Sequence, residues 1–330
     1  MKPSLLQWLA CPECSGDLVL SGAEREGEEI VSGGLTCEPC GAQFAIRKGV
    51  PRFAPSEMVR DQRATARNFG AQWQMFDELN DGYEEQFRDW IAPVTPAFVK
   101  GSLVLEAGCG KGRHTWWLTQ WGAAAVIAVD LSDAVDVAYR HVGALPNAHI
   151  IQADIYKLPL RPVFDYALSI GVLHHLPRPR DGFAALVRKV RPGGAVSAWV
   201  YGQEGNEWIV RFVDPVRRRV TSKLPAPVLY WVALGPAALV HLAAKTVYAP
   251  LAETAIARFL PYRDYLVYIA RFSFREIHSI VFDHLNAPTA FYIGRSDFES
   301  WFHAAGLERT TFVWHNRNSW KGFGVLAARS

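Results

Sequence analysis

The sequence predicts an α/β chain: a doubly wound, mostly parallel seven-stranded sheet, preceded by a small metal-binding ribbon and interrupted near its end by a helical insertion. Three observations carry this. Four of the five cysteines fall near the start in two C-x2-C pairs. Beyond residue 100, short apolar runs alternate with helical patterns, as in a parallel sheet. Residues 203–293, with a strongly apolar middle, then separate the fifth such run from a closing helix and two strands. At roughly 150 residues per domain, 330 residues suggest about two domains. With 50% hydrophobic and 20% charged residues, the chain is too apolar to be disordered and too charged for a polytopic membrane protein. The formal net charge of +3 is far below that of a dedicated nucleic-acid binder, so the total alone names no partner, and nucleic acid is kept only as an alternative. Met1 to Ala10 holds too short an apolar run for a signal peptide, so the chain is expected in the cytoplasm.

The pairs Cys11/Cys14 and Cys37/Cys40 are separated by 22 residues. Each knuckle turns two sulfurs toward one point, and four thiolates satisfy tetrahedral zinc with no position left for water, so the predicted site is structural. A reducing compartment disfavours the alternative of two disulfides. Short strands are expected at Leu18–Leu20, Gly33–Leu35 and Ala42–Ile46, giving a zinc ribbon over residues 1–55. Leu5-Leu6, Ala10-Cys11-Pro12, Cys37 to Cys40, Phe44, Ile46 and Gly49 to Phe53 resemble the Trm112-like zinc-ribbon family. That resemblance implies a module that activates methyltransferases, either alone or fused in front of one.

Residues 56–95 read as a charged helical connector running from Glu57 to about Pro93. The core, 96–202, places strands at Ser102–Leu105, Ala125–Val129, His149–Gln152, Asp165–Ile170 and Ala195–Tyr201. A helix is expected through Trp116-Trp117-Leu118, and another from Phe183 to Val190 that ends at the turn Arg191-Pro192-Gly193-Gly194. Residues 294–330 supply a capped helix from Ser296 to Leu307 and the strands Thr310–Trp314 and Gly322–Ala327.

Ligands of such sheets bind at the carboxyl ends of the strands. The first strand runs into Glu106-Ala107-Gly108-Cys109-Gly110-Lys111-Gly112, and the third glycine of a dinucleotide fingerprint is replaced by Arg113. A carboxylate at Glu106 would repel a pyrophosphate and suits a cationic ligand. Asp130 closes the second strand, placed for ribose hydroxyls, and Asp154 closes the third, placed for an adenine amino group. Cys109 reads as a small buried residue. This block, with Asp154 to Leu158-Pro159, Phe164-Asp165, Gly171 to Leu176 and the Arg191 to Gly194 turn, resembles the class I S-adenosylmethionine-dependent methyltransferases of the type 11 kind, whose fold is Rossmann-like. The resemblance implies donor contacts from Glu106, Gly108, Gly110, Asp130, Leu131, Asp154, Ile155 and Gly171.

The insertion, 203–293, is expected to form a substrate lid over the methyl donor. Its apolar middle, Ala226 to Ala244, approaches transmembrane length, but Gly235-Pro236 predicts a break into two shorter helices. With the basic cluster Arg211, Arg217, Arg218, Arg219 and Lys223, three readings stand open for 211–252: a lid, peripheral contact with an anionic membrane, or a span. Methyl transfer asks mainly for alignment, and a base only for a protonated acceptor. Candidates are His174, His175, Asp283, His284 and Tyr292. Ser169-Ile170-Gly171-Val172 stands where methyltransferases of planar nitrogens often carry Asn-Pro-Pro-Tyr, which argues against such acceptors. The reading favours a small, lipophilic acceptor. Its alternatives are a tRNA or protein acceptor docked on the ribbon, and a donor-binding interaction protein without turnover.

Overall fold

The computed structural model describes residues 1–55, 58–79 and 82–328, so Glu57, where the connector was expected to begin, and the end of the closing segment lie outside the described residues. Four strands come from the ribbon: β1 (Leu18–Glu26), β2 (Glu29–Cys37), β3 (Gln43–Arg47) and β4 (Val50–Phe53). Five form the parallel core: β5 (Leu103–Ala107), β6 (Ala125–Asp130), β7 (Ala148–Ala153), β8 (Phe164–Ile170) and β9 (Val190–Tyr201). β10 (Leu307–His315) and β11 (Ser319–Leu326) close the sheet antiparallel. The order is β1-β2-β3-β4-β7-β6-β5-β8-β9-β11-β10. Strand order reverses between β5 and β8, which makes that junction the expected ligand crevice.

The sheet therefore has eleven strands where sequence predicted seven, because the ribbon is welded to the core. β4 adds parallel to β7, pairing Arg52 with Gln152 and Phe53 with Ala153. Without it β7 would be an exposed edge, a row of unsatisfied backbone groups. Leu5, Leu9, Ile30, Leu35, Ile46 and Phe53 share one buried cluster with Ile151, Leu158 and Leu160. The seam is also polar: Arg52 meets Asp136 at 2.5 Å, and Lys157 meets Glu13 at 2.9 Å.

Core strands are apolar on both faces, with Val104, Leu105, Val126, Ile127 and Leu168 fully buried, as covered parallel strands require. The helix expected up to Val190 ends at Val187, and the Arg191 to Gly194 turn lies inside β9 as an irregularity between the pairs Phe164/Val190 and Tyr166/Ala195. A Cβ at Gly194 would stand 2.8 Å from the Asp165 carbonyl oxygen, so the bulge needs glycine. The closing helix spans Arg295–Ala304, starting ahead of the expected Ser296 cap, because Glu204 accepts from the Arg295 backbone N–H at 2.9 Å.

The chain leaves the sheet at Gly202 and returns at Ile293, two residues joined by a parallel bridge. Within this excursion the expected break at Gly235-Pro236 is absent. One helix runs Ala226–Ala243 and continues through a wider turn, Ala244–Tyr248, to Leu251. Pro236 removes one hydrogen bond to Val232, at a cost of about 3 kcal/mol in a helix interior. Leu229 and Ala233 offset it by burying against the helix Phe274–Asn286, where Phe282 meets Phe76 of the connector.

Candidate functional site

Two sites emerge. The first is the cysteine cluster, whose four sulfurs lie within 4.8 Å of one another. Cys11 and Cys40 are 3.7 Å apart at sulfur, Cys14 and Cys37 3.4 Å. Tetrahedral zinc with bonds of about 2.3 Å has sulfur-to-sulfur edges of about 3.8 Å, so the donor set fits zinc. Cys11 and Cys37 are buried while Cys14 and Cys40 face outward, a half-embedded structural site.

The second is a cavity of about 920 Å³ at the carboxyl ends of β5 to β9, closed above by the insertion. Its floor is the turn after β5. Gly108, Gly110 and Gly112 all have positive φ, at 87°, 52° and 84°. At Gly108 an added Cβ would lie 2.2 Å from Val172, and at Gly110 2.9 Å from the Trp73 indole nitrogen. Only glycine admits both the left-handed backbone and the close approach. Asp130 accepts from the Gly110 N–H at 2.9 Å and from Ser132, which holds the turn in shape. Burial raises its pKa, and the Ser132 and Gly110 hydrogen bonds oppose that rise. Asp154 accepts from Tyr156 N–H and from Gln62 Nε2, the latter at 2.6 Å.

Gly108, Gly110, Asp130, Leu131, Asp154, Ile155 and Gly171 line the cavity. Glu106 does not. It lies beneath the turn, accepting from Thr115 Oγ1 at 2.5 Å and facing His114 Nδ1 at 3.1 Å, and burial pushes its pKa up to about 8. His114 is held well below its usual value, again by burial. The pair is neutral and supports the turn from behind, so the direct charge contact expected of Glu106 is not in place. The cationic partner of the floor is Arg113, which replaces the fingerprint glycine, lines the cavity and stacks over Tyr83 and Trp90.

Of the candidate bases, His175, Asp283, His284 and Tyr292 line the cavity. His174 stands behind them, fully buried, with its ring stacked on Tyr201 at 4.0 Å. Its Nδ1 accepts from the Tyr201 N–H, and burial keeps it neutral. His175 Nδ1 lies 2.8 Å from the Thr289 carbonyl, which can only accept, so the proton sits on Nδ1 and the lone pair on Nε2. Burial lowers the His175 pKa to about 4. Asp283 accepts from Tyr201 Oη at 3.0 Å and Gln72 Nε2 at 3.1 Å, while the His284 and Tyr292 rings stack on Tyr201.

Sequence reasoning missed the connector wall. Gln62, Thr65, Phe69, Gln72 and Trp73 of the helix Arg60–Met75 line the cavity. The available signal is that this helix buries polar residues, Gln62, Asn68 and Gln72, instead of an apolar stripe. Lys111 ties the connector down, donating to the Phe76 and Glu78 carbonyls at 2.8 and 2.6 Å. Trp199 and Tyr201, on β9, were also missed because they read simply as strand residues.

Buried polar atoms at the cavity wall without a partner among the described residues include Thr65 Oγ1, His114 Nε2, Trp199 Nε1 and His284 Nδ1. Such orphans mark a ligand-binding wall. The glycine floor, two strand-end acids and a facing arginine fit S-adenosylmethionine, a phosphate-free nucleoside carrying a carboxylate and positive charge.

Residues 105–198 match the family model described as methyltransferase domain, and residues 2–49 that of Trm112p-like protein. A tRNA U34 carboxymethyltransferase of Pseudoalteromonas translucida is 36% identical over 112 residues, 33% of this chain and 35% of that protein. An uncharacterized protein of Synechococcus is 35% identical over 140 residues, 38% of this chain and 34% of its own. The chain thus spans about a third of the length of these curated relatives. The solved magnesium protoporphyrin IX methyltransferase of Synechocystis superposes with a TM-score of 0.47 at 14% identity, covering 83% of this chain and all of that one. The sequence matches and the strand order agree: the chain joins a Trm112p-like zinc-ribbon domain to a domain of the S-adenosylmethionine-dependent α/β methyltransferase family.

Proposed function

We propose that the protein transfers a methyl group from S-adenosylmethionine to a small lipophilic acceptor held beneath the insertion. One observation carries this: a single cavity reaches from the glycine floor, where a donor fits, to apolar walls supplied by Pro236, Val240, Leu266, Ile269 and Phe272. The donor supplies an activated methyl on a sulfonium. The chain's own residues do the rest. Asp130 and Asp154 are placed for the nucleoside, and Arg113 for the donor's carboxylate. His175, neutral above about pH 4 with its Nε2 lone pair available, is the base this geometry favours for a protonated acceptor. Asp283, fixed by Tyr201 and Gln72, orients an acceptor hydroxyl or amine. The ribbon serves in cis as a folding element.

A second reading, a tRNA acceptor, is favoured by the name of the Pseudoalteromonas relative and by a basic groove formed by Arg60, Arg63, Arg67, Arg218 and Lys223. That match covers 33% of this chain and 35% of that protein, too small a share to carry over what the relative acts on. Methyl-labelled donor incubated with cell extract, then separated into lipid, small-molecule, RNA and protein fractions, decides between them. Label in the lipid or small-molecule fraction supports the first reading and label in RNA the second. Donor binding without label anywhere overturns both and leaves an interaction protein.

A further inference from the structure

The helix Ala226–Ala243 is apolar on both sides. On its inner face Leu229 and Ala233 pack on Phe282, and Ala237 is buried as well. Its outer residues Val228, Trp231, Val232, Leu239 and Leu242 are exposed, Trp231 at 71% and Leu239 at 70%. They recur at i, i+3, i+4, i+11 and i+14, so they form one stripe along the helix. No Asp, Glu, Lys or Arg stands between Ala226 and Ala243. A surface helix facing water carries its polar residues there, and this one carries none. The flanking segments continue the pattern with Phe212 exposed at 62% and Phe259 at 75%.

Charge gathers at the same end of the molecule. Between Trp208 and Ala252 six Lys and Arg stand against one acid, Asp214, which is buried against Arg217 and Arg218. The groove lined by Arg60, Arg63, Arg67, Arg218 and Lys223 holds a single acidic residue, Asp61. Among the described residues Arg60, Arg63, Arg67 and Lys223 form no ion pair. Ser222 and Lys223, both lining this groove, stand four and three residues before the start of the helix, so the cationic groove lies near the N-terminal end of the apolar stripe.

We propose that the insertion seats the protein on an anionic lipid surface, with the outer stripe of Ala226–Ala243 in the headgroup boundary and the basic groove on the lipid phosphates. Cations beside an exposed apolar stripe with a tryptophan are the chemistry of an interfacial helix. RNA would account for the arginines and leave Trp231, Leu239 and Leu242 without a partner. A transmembrane course is disfavoured by the inner face: His278 Nε2 bonds the Tyr230 carbonyl at 2.9 Å, on a helix that also carries Arg275, Glu276 and Asp283. Surface seating keeps those contacts. It also lays Pro236 and Val240, which line the cavity, against the bilayer boundary, a route for an apolar acceptor that rests on the methyl-transfer reading above.

The test is flotation of the full chain with vesicles of phosphatidylcholine alone and of a 2:1 mixture with phosphatidylglycerol. It reads binding only, so it can fail or succeed whatever becomes of the catalytic reading. The chain is expected to float with the anionic vesicles at low salt and to be released by high salt. Trp231→Ser with Leu239→Ser, and separately Arg63→Glu with Lys223→Glu, should each weaken binding by about tenfold or more, with melting temperature and donor affinity unchanged. Protein staying soluble with anionic vesicles, variants that bind like the parent, association that survives high salt and carbonate, or tight tRNA binding without vesicle binding would each overturn the proposal.

Discussion

At the floor of the cavity the functional groups sit at the ends of successive strands and in the glycine turn after the first of them, on a sheet whose strands are buried on both faces. At the roof they come from four separated stretches, 62–73, 199–201, 279–285 and 289–292, brought together only by packing. The floor is held by backbone geometry, as the positive φ of Gly108 and the hydrogen bond from Gly110 to Asp130 show. The roof is held by side chains stacked on Tyr201 and by one small apolar cluster around Phe76 and Phe282. The roof is thus built from different material and is tied to the sheet at the Gly202–Ile293 bridge, at Tyr201 and where the Thr289 carbonyl meets His175, so it can vary while the floor stays.

The contrast breaks most visibly if metal is removed. The ribbon shares its hydrophobic cluster and the β4–β7 ladder with the floor, whereas the roof's cluster contains no ribbon residue. Structural zinc contributes on the order of 10 kcal/mol to folding of such small domains. Chelation is therefore expected to unfold residues 2–53 and to lower the melting temperature by more than about 10 °C. Hydrogen exchange should rise along 148–160 before it rises in 274–286. Equal loss of protection in both would mean that floor and roof form one cooperative unit.

A pair of substitutions separates the halves more finely. Gly108→Ala puts a Cβ in a left-handed conformation 2.2 Å from Val172. Strain of about 1–2 kcal/mol and overpacking of similar size should weaken donor binding about 100-fold in calorimetry. Tyr201→Phe deletes one hydrogen bond to Asp283 and leaves the floor untouched. Donor affinity should stay within about twofold while turnover of the identified acceptor falls about tenfold. A large loss of donor affinity in Tyr201→Phe would join the two halves into one site.

This division also explains what could be read in advance. Strand ends advertise themselves: Asp130 and Asp154 each follow an apolar run, and glycines with a positive φ leave a spacing signature. The cysteine knuckles do the same for the metal. Glu106 misled because its position in the chain is right, while its side chain turns under the sheet toward Thr115 and His114, a choice set by tertiary packing. Gly235-Pro236 misled for the same reason, since local propensity against a helix is outweighed by burial of Leu229, Ala233 and Ala237. Gln62 and Trp73 were invisible because nothing in a connector helix states what it will lie across.

The smallest effect follows from two opposed titrations, of buried histidines and of a buried glutamate. In the roof, burial lowers the pKa of His174, His175 and His284, with His175 at about 4. Their unfolded values lie near 6.5, so between about pH 6.5 and 4 the unfolded chain binds more protons than the folded one. Stability must fall there as pH falls. In the floor, burial raises Glu106 to about 8, so from about 4.5 to 8 the folded chain holds a proton that the unfolded chain has lost, and stability falls as pH rises. The two limbs overlap between about pH 4.5 and 6.5, where several histidines oppose one glutamate, so the urea midpoint should peak near pH 6.5. Glu106→Gln, which keeps a neutral side chain of the same shape, should flatten the fall above about pH 6.5 and steepen the rise below it. His284→Asn should flatten part of the acid limb alone. A Glu106→Gln variant that kept its alkaline fall, or a His284→Asn variant that lost it, would mean that the two halves titrate as a single network and that the cavity's division is one of shape only.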